Sequence, residues 1–149
     1  MSTGERRRAL AGAVHRPADA LLLLRVSCVA AAVPALMRLS LPRTTALIRP
    51  RRRPSAPAPP EQAEQTERIA TAVDAARVAG YPVVRQGCLT RAVTLYWFLS
   101  RAGVPVELRF GIARDASADG HAWLAIDGKP FLEKTDPEPT FAVTYRIPA

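Results

Sequence analysis

The chain has little cysteine: only Cys28 and Cys88 occur among its 149 residues. Small secreted domains that depend on disulfides carry several closely spaced cysteines, so this composition excludes a disulfide scaffold. Cys28 lies in an apolar run, and a proline-rich stretch separates it from Cys88. We therefore expect Cys28 to be a small buried apolar residue rather than the disulfide partner of Cys88.

Acidic residues are scarce in the first 60 positions, where eleven arginines stand against only Glu5 and Asp19. Residues 61–149 carry ten basic and eleven acidic residues, so the net charge of +8 belongs to the front of the chain. A basic segment can contact an acidic surface such as a membrane or a nucleic acid. This one lacks interleaved aromatic residues and any nucleic-acid-binding motif, so we expect no nucleic-acid partner. A weak contact with a membrane surface stays open.

A long uninterrupted apolar run is also missing. The stretch from Ala20 to Met37 is broken by Arg25 and Pro34, and it falls short of the roughly 20 apolar residues that a membrane-spanning helix needs. The arginines at positions 6–8 resemble the start of a signal peptide, but a long mixed interval follows them and no cleavage site ends the apolar run. We expect a cytoplasmic protein with a buried or interfacial N-terminal helix, with membrane association as the alternative.

Proline is concentrated where the chain changes character. Residues 42–60 carry six prolines and a run of arginines. Such a stretch continues neither a helix nor a central strand, so it marks a linker and a domain boundary. We divide the chain into a basic N-terminal segment, residues 1–60, with an apolar helix at about 20–40, and a folded domain, residues 61–149.

After the linker the apolar spacing is first helical and then strand-like. It predicts helices over 61–79 and 88–102, each ended by a glycine. The spacing then becomes two, which predicts four strands: 104–110, 121–126, 129–134 and 140–147. The pair Asp127-Gly128 predicts a hairpin turn. Two helices followed by an antiparallel meander predict an α+β fold, with Cys88 at a helix N-terminus that packs on the sheet.

Cys88 is the candidate nucleophile, because it stands directly after Gly87 where a helix is predicted to begin. A thiol attacks carbonyl groups as the thiolate, which the helix dipole and its free amide groups stabilise. We expect Gly87 to let the backbone turn tightly and to leave room for substrate. The amide of Cys88, and the side chain of Gln86 as a further donor, can bind the oxyanion of a tetrahedral intermediate.

His121 opens a predicted strand and is the candidate base for the thiol. A histidine in this role needs a partner on its other ring nitrogen. The predicted hairpin returns the chain beside His121, which makes Glu133 a candidate partner and Asp136 an alternative. Trp123 is a candidate substrate contact, although a tryptophan on a strand is more often a core residue. No metal ion and no cofactor are expected.

Three stretches together resemble the transglutaminase-like core, and more closely the leader peptidase, or B protein, of lasso-peptide biosynthesis. They are Gly87-Cys88-Leu89-Thr90-Arg91-Ala92, Ser100-Arg101-Ala102-Gly103-Val104-Pro105-Val106 and Gly120-His121-Ala122-Trp123-Leu124-Ala125-Ile126-Asp127-Gly128. The resemblance covers about residues 66–147.

The resemblance implies a papain-like cysteine protease that removes the leader from a ribosomally made precursor peptide. A small partner protein would grip the leader, and a separate ATP-dependent cyclase would close the lasso ring. Cys88 would be the nucleophile and His121 the base. Lasso peptidases place an aspartate twelve residues after the histidine, where this chain has Glu133, and the wider superfamily places one fifteen residues after it, where this chain has Asp136. We favour Glu133, because it is predicted to lie in mid-strand.

Two other functions fit the same residues. If an amine replaced water as the acceptor, the site would be that of a transglutaminase-like amidase or acyltransferase. If Cys88 were packed in the core, the chain would be a non-catalytic peptide-binding module of the same fold. The sequence does not distinguish water from an amine.

Overall fold

A computed structural model describes residues 17–50, 59–81, 83–85, 87–115 and 117–148. The helices are α1 (Pro17–Leu36), α2 (Leu41–Ile48), α3 (Pro59–Ala79) and α4 (Cys88–Arg101), and the strands are β1 (Glu107–Ala113), β2 (Gly120–Ile126), β3 (Lys129–Phe131) and β4 (Phe141–Ile147). The helices precede the strands, so the predicted α+β class is confirmed. Two predicted segments lie outside the described residues: the basic start, residues 1–16, and the middle of the linker, residues 51–58.

Helix α2 corrects the predicted linker, because residues 42–48 are helical. Pro42 lies in the first turn of α2, where a helix accepts proline because the first N–H groups have no acceptor within it. Arg101 of α4 holds the other end of α2: its Nη1 donates to the carbonyl oxygen of Ile48 at 2.9 Å. The guanidinium of Arg101 also lies over the ring of Trp97, 3.4 Å from the ring centroid. Proline at a helix start therefore did not exclude the helix.

Helix α1 shares one hydrophobic core with the elements that follow residue 60. Val26, Ala30 and Val33 are buried along one side of α1, which packs against α3 and α4. An ion pair reinforces this contact, since Arg68 of α3 donates to Asp19 of α1 at 2.7 Å. The predicted division of the chain at residue 60 therefore does not separate two cores.

The opposite side of α1 is exposed and apolar. Leu21 and Leu24 are 49% and 61% exposed. Cys28 is also exposed, which corrects the expectation that this cysteine is buried. Within the described residues, α1 is the one helix that is long and apolar enough to cross a membrane, judged by length and composition only.

The sheet is antiparallel and has the strand order β3-β2-β1-β4. The first three strands form the predicted meander, but β4 pairs with β1 rather than with β3. Asp127 and Gly128 have φ angles of 50° and 80°, the two left-handed positions that a type I′ hairpin turn requires. Strand β3 ends three residues earlier than predicted, because Leu132 has a φ of 58°, which a strand does not contain. Glu133 is therefore not a mid-strand residue.

The segment 132–140 connects strands at opposite edges of the sheet and therefore has to pass across it. Arg109 of β1 holds this segment: its guanidinium pairs with Glu138, pairs with Glu107 at 2.5 Å, and donates to the carbonyl oxygen of Gly128 at 3.2 Å. Arg109 is only 5% exposed. Its cross-strand neighbour Trp123 is fully buried. The polar side of β1 is thus covered by the chain itself.

The shared core predicts a difference between two positions on α1. We expect Val26→Ala to lower the free energy of unfolding by about 2 kcal/mol, since it removes two buried methyl groups and leaves a cavity. Leu24→Ala, two residues away and exposed, should change it by less than about 0.5 kcal/mol. Urea unfolding followed by circular dichroism measures both. Equal effects of the two substitutions would contradict a core that includes α1.

Candidate active site

Cys88 is the first residue of α4, as predicted, and its thiol is free and half-buried. The first N–H groups of a helix have no acceptor within it, so they point at whatever occupies the space before the helix. Gly87 precedes Cys88 with a φ of 168° and a ψ of 160°. This is extended backbone, so the chain bends at Gly87 in a conformation that does not require glycine. Apart from its chain neighbours, a Cβ at position 87 would meet no atom within 4 Å, so the space beside Gly87 is open.

His121 is the second residue of β2, opposite Gly111 of β1. Its imidazole lies between two aromatic rings: Trp123, at a centroid distance of 5.7 Å and an interplanar angle of 18°, and Phe141, at 5.0 Å and 27°. The side chain of His121 is 23% exposed. Stacking on both sides restricts rotation of the ring, so the strand holds His121 in one orientation.

Trp123 does not line the cavity that holds Cys88 and His121, which corrects its predicted contact with substrate. Its side chain is fully buried. The indole lies against Gly111, where a Cβ would come within 2.9 Å of two atoms of the ring. The indole ring of Trp123 instead stacks on the imidazole of His121.

Glu133 is the acid that the structure brings to His121. Its Oε2 lies 3.7 Å from Nε2 of His121, within ion-pair distance but longer than a hydrogen bond. Its other oxygen, Oε1, lies 3.5 Å from Nη1 of Arg91. The carboxylate therefore bridges the imidazole and a guanidinium, and Glu133 is placed to hold the side of the ring that carries Nε2.

Asp136 lines the same cavity, but its carboxylate forms a hydrogen bond within its own turn. Its side chain is exposed, and its Oδ1 accepts a hydrogen bond from the backbone N–H of Glu138 at 3.0 Å. This is a local turn interaction typical of aspartate. Among the described contacts, the ion pair of His121 is with Glu133 and not with Asp136.

Arg91 is the site residue that sequence reasoning did not single out. It follows Cys88 by three residues, on the same side of the first turn of α4. Its Nε donates to Oδ1 of Asp74 on α3 at 3.0 Å, and its Nη1 donates to the carbonyl oxygen of Leu132 at 3.1 Å. Together with the contact to Glu133, these bonds tie the helix of the nucleophile to the segment that carries the acid. The signal available in the sequence was the spacing of Cys88 and Arg91.

These residues surround one open cavity of about 690 Å³. Cys88, Arg91, His121 and Glu133 line it together with Asp74, Arg77, Leu132, Lys134, Thr135, Asp136, Pro137, Thr140 and Phe141. The predicted oxyanion donor Gln86 lies outside the described residues. Within the described ranges, no group of three or more His, Cys, Asp or Glu side chains could hold a metal ion.

The arrangement has the parts of a thiol-based acyl-transfer site. The candidate nucleophile Cys88 lies at a helix N-terminus, the imidazole of His121 lines the same cavity, and the carboxylate of Glu133 lies 3.7 Å from that imidazole. Such a set can form and break a thioester without a metal ion.

Comparison with known proteins gives one match. A protein-family profile described as the transglutaminase-like superfamily matches residues 29–146, from the middle of α1 to the end of β4. No curated protein and no solved structure matches the chain. The matched region spans the predicted boundary at residue 60, in agreement with the shared core. The chain belongs to the transglutaminase-like superfamily, whose members are usually cysteine-dependent enzymes.

Proposed function

We propose that the chain is a cysteine peptidase that removes the leader from a ribosomally made precursor peptide during lasso-peptide maturation. One observation carries the peptidase part: Cys88, His121 and Glu133 surround a single open cavity, with the imidazole held between two rings. The resemblance of the three sequence stretches to lasso leader peptidases supports the choice of substrate.

Acylation begins when His121 takes the proton of the Cys88 thiol. The sulfur attacks the scissile carbonyl carbon, a C–S bond forms, and the carbonyl electrons move to the oxygen. The N–H groups at the start of α4, which have no acceptor within the helix, donate to that oxyanion. When the intermediate collapses, the C–N bond breaks and the leaving amine takes the proton from the imidazolium of His121.

Deacylation runs through the same imidazole. His121 takes a proton from water, the hydroxyl oxygen attacks the thioester carbon, and the C–S bond breaks. The imidazolium returns its proton to Cys88. The products are a peptide with a new carboxylate and a peptide with a free amine. The open cavity of about 690 Å³ gives water a path to the thioester.

Glu133 is proposed to fix the tautomer of His121. Its carboxylate lies on the side of Nε2, where it favours an N–H at that nitrogen and leaves Nδ1 free to accept the thiol proton. Arg91 holds the other oxygen of Glu133. The peptidase is proposed to work with a small protein that grips the leader and to hand the trimmed peptide to an ATP-dependent cyclase.

The proposal predicts that Cys88→Ala abolishes cleavage of the cognate precursor. The substrate is a synthetic peptide with the sequence of a short reading frame expected beside the gene for this chain, and mass spectrometry follows the products. Cys28→Ala is the matched control, because Cys28 lies exposed on α1. We expect its cleavage rate to stay within about twofold of the wild type, since exposed substitutions away from a site have small effects.

The product masses separate the alternative functions. After hydrolysis, the masses of the two fragments add up to the mass of the precursor plus one water. After transfer to an added amine, the acyl fragment carries that amine instead of the water. Cleavage that persists in Cys88→Ala would refute the peptidase mechanism. A wild-type Cys88 that reacts with iodoacetamide no faster in the folded protein than after His121→Ala would favour the non-catalytic module.

The two acids predict different outcomes on substitution. Glu133→Gln removes the charge next to His121, and we expect kcat to fall by about 10²-fold or more, the usual scale of acid–base contributions. Asp136→Asn keeps an oxygen that accepts the Glu138 N–H, so its kcat should stay within about twofold. Steady-state kinetics on the precursor peptide measures both. A larger loss in Asp136→Asn than in Glu133→Gln would reverse the assignment.

A further inference from the structure

A second cavity adjoins the catalytic one. It has a volume of about 540 Å³ and lies between α3 and the β2–β3 hairpin. Its lining consists of Pro59, Gln62, Ala63, Thr66, Glu67, Ala70, Thr71, Asp74, Ile126, Phe131 and Leu132. Asp74 and Leu132 also line the catalytic cavity. The two cavities therefore adjoin at this pair of residues, which Arg91 bridges, and we call the second cavity the groove.

The spacing along α3 gives the groove its shape. Ala63, Glu67, Ala70 and Asp74 recur at intervals of three and four, so they form one stripe along the helix. Because the side chains of Ala63 and Ala70 are small, they leave space above this side of α3. The stripe rises about 16 Å over these eleven steps, a length that about five residues of extended peptide cover.

The opposite wall is apolar. Ile126, Phe131 and Leu132 are each partly buried against the core and partly open to the groove. Across from them, Ala70 lies one turn from the junction at Asp74. An apolar side chain placed between Ala70 and Phe131 would lose its contact with water on both sides, which is the condition for hydrophobic stabilisation.

The two acids of the stripe differ in charge balance. Asp74 is engaged by Arg91 at 3.0 Å and by Arg77 at 3.2 Å. Glu67 is exposed, and within the described part of the chain it makes no ion pair. The carboxylate of Glu67 thus lines the groove as an unpaired negative charge within the described residues, two helical turns from Asp74 and the catalytic cavity.

We propose that this groove binds an extended segment of the substrate peptide on one side of the scissile bond. An apolar side chain close to the cleaved bond packs between Ala70 and Phe131, and a lysine or arginine farther along pairs with Glu67. The inference rests on the proposed peptidase function and adds a specificity site to it. The position of the groove next to the catalytic cavity and the carboxylate of Glu67, which makes no ion pair within the described residues, argue for a peptide as the occupant.

Binding to the Cys88→Ala protein tests the groove without cleavage. The probe is the fluorescein-labelled precursor peptide, and fluorescence anisotropy measures its Kd. Ala70→Trp fills the groove, and we expect it to raise the Kd by about tenfold or more, the result of losing one buried apolar side chain. Gln65→Trp is the matched control, because position 65 is exposed on the same helix outside the groove. It should leave the Kd within about twofold.

Charge reversal supplies a second test that does not depend on packing. Glu67→Lys should raise the Kd several-fold, with the difference from wild type shrinking as salt is added. Glu64→Lys makes the same change of charge on α3 outside the groove and should have a smaller effect. The proposed groove would be refuted if Glu67→Lys and Glu64→Lys changed the Kd equally and if Ala70→Trp and Gln65→Trp also gave equal Kd values.

The failures of the two proposals are distinguishable. If the peptide binds in a groove-dependent way but wild-type protein leaves it uncut, the peptidase function fails and the binding site stands. If wild-type protein cuts the peptide and kcat/KM is the same for Ala70→Trp and Gln65→Trp, the groove fails and the peptidase stands. Alkylation of Cys88 by iodoacetamide in the versions that retain it shows that each variant keeps its catalytic cavity.

Discussion

The position of the candidate site depends on the guanidinium of Arg91. This one group bonds to Asp74 on α3, to the carbonyl oxygen of Leu132 and to the carboxylate of Glu133. A lysine could not reproduce it, because an ammonium is a compact charge without a planar fork of donors. Cys88 lies one turn before Arg91, so the helix that carries the thiol also fixes the segment that carries the acid.

Much of the arrangement was predictable from local pattern. The start of α4 at Cys88, the strand after Gly120 and the turn at Asp127-Gly128 each have a short-range cause: a helix start, a period of two, or two left-handed positions. The hairpin then returns the chain toward His121. The pairing of His121 with an acid some twelve residues later follows from these local elements.

The parts that were not predictable depend on contacts distant in sequence. Leu132 takes a left-handed conformation that no pattern in the chain signals, and it moves Glu133 out of the strand. The alternation of Leu108, Arg109 and Phe110 is typical of a strand with Arg109 on its exposed side, whereas Arg109 is buried and pairs with Glu138, 29 residues later. The packing of α1 on the core likewise brings together residues distant in sequence, such as Asp19 and Arg68, 49 residues apart. Periodicity reports which side of an element is apolar, and it does not report what covers the polar side.

The charges around Cys88 explain why the acids need partners. A thiolate beside free carboxylates would be destabilised, since like charges a few ångströms apart repel. Arg91 engages both Asp74 and Glu133, and Arg77 shares Asp74. The arginines thus balance the charge of the two carboxylates in the cavity that Cys88 also lines. Glu67 stands two turns away along α3 and makes no ion pair within the described residues, so the substrate charge that we propose it binds would lie apart from the charges around Cys88.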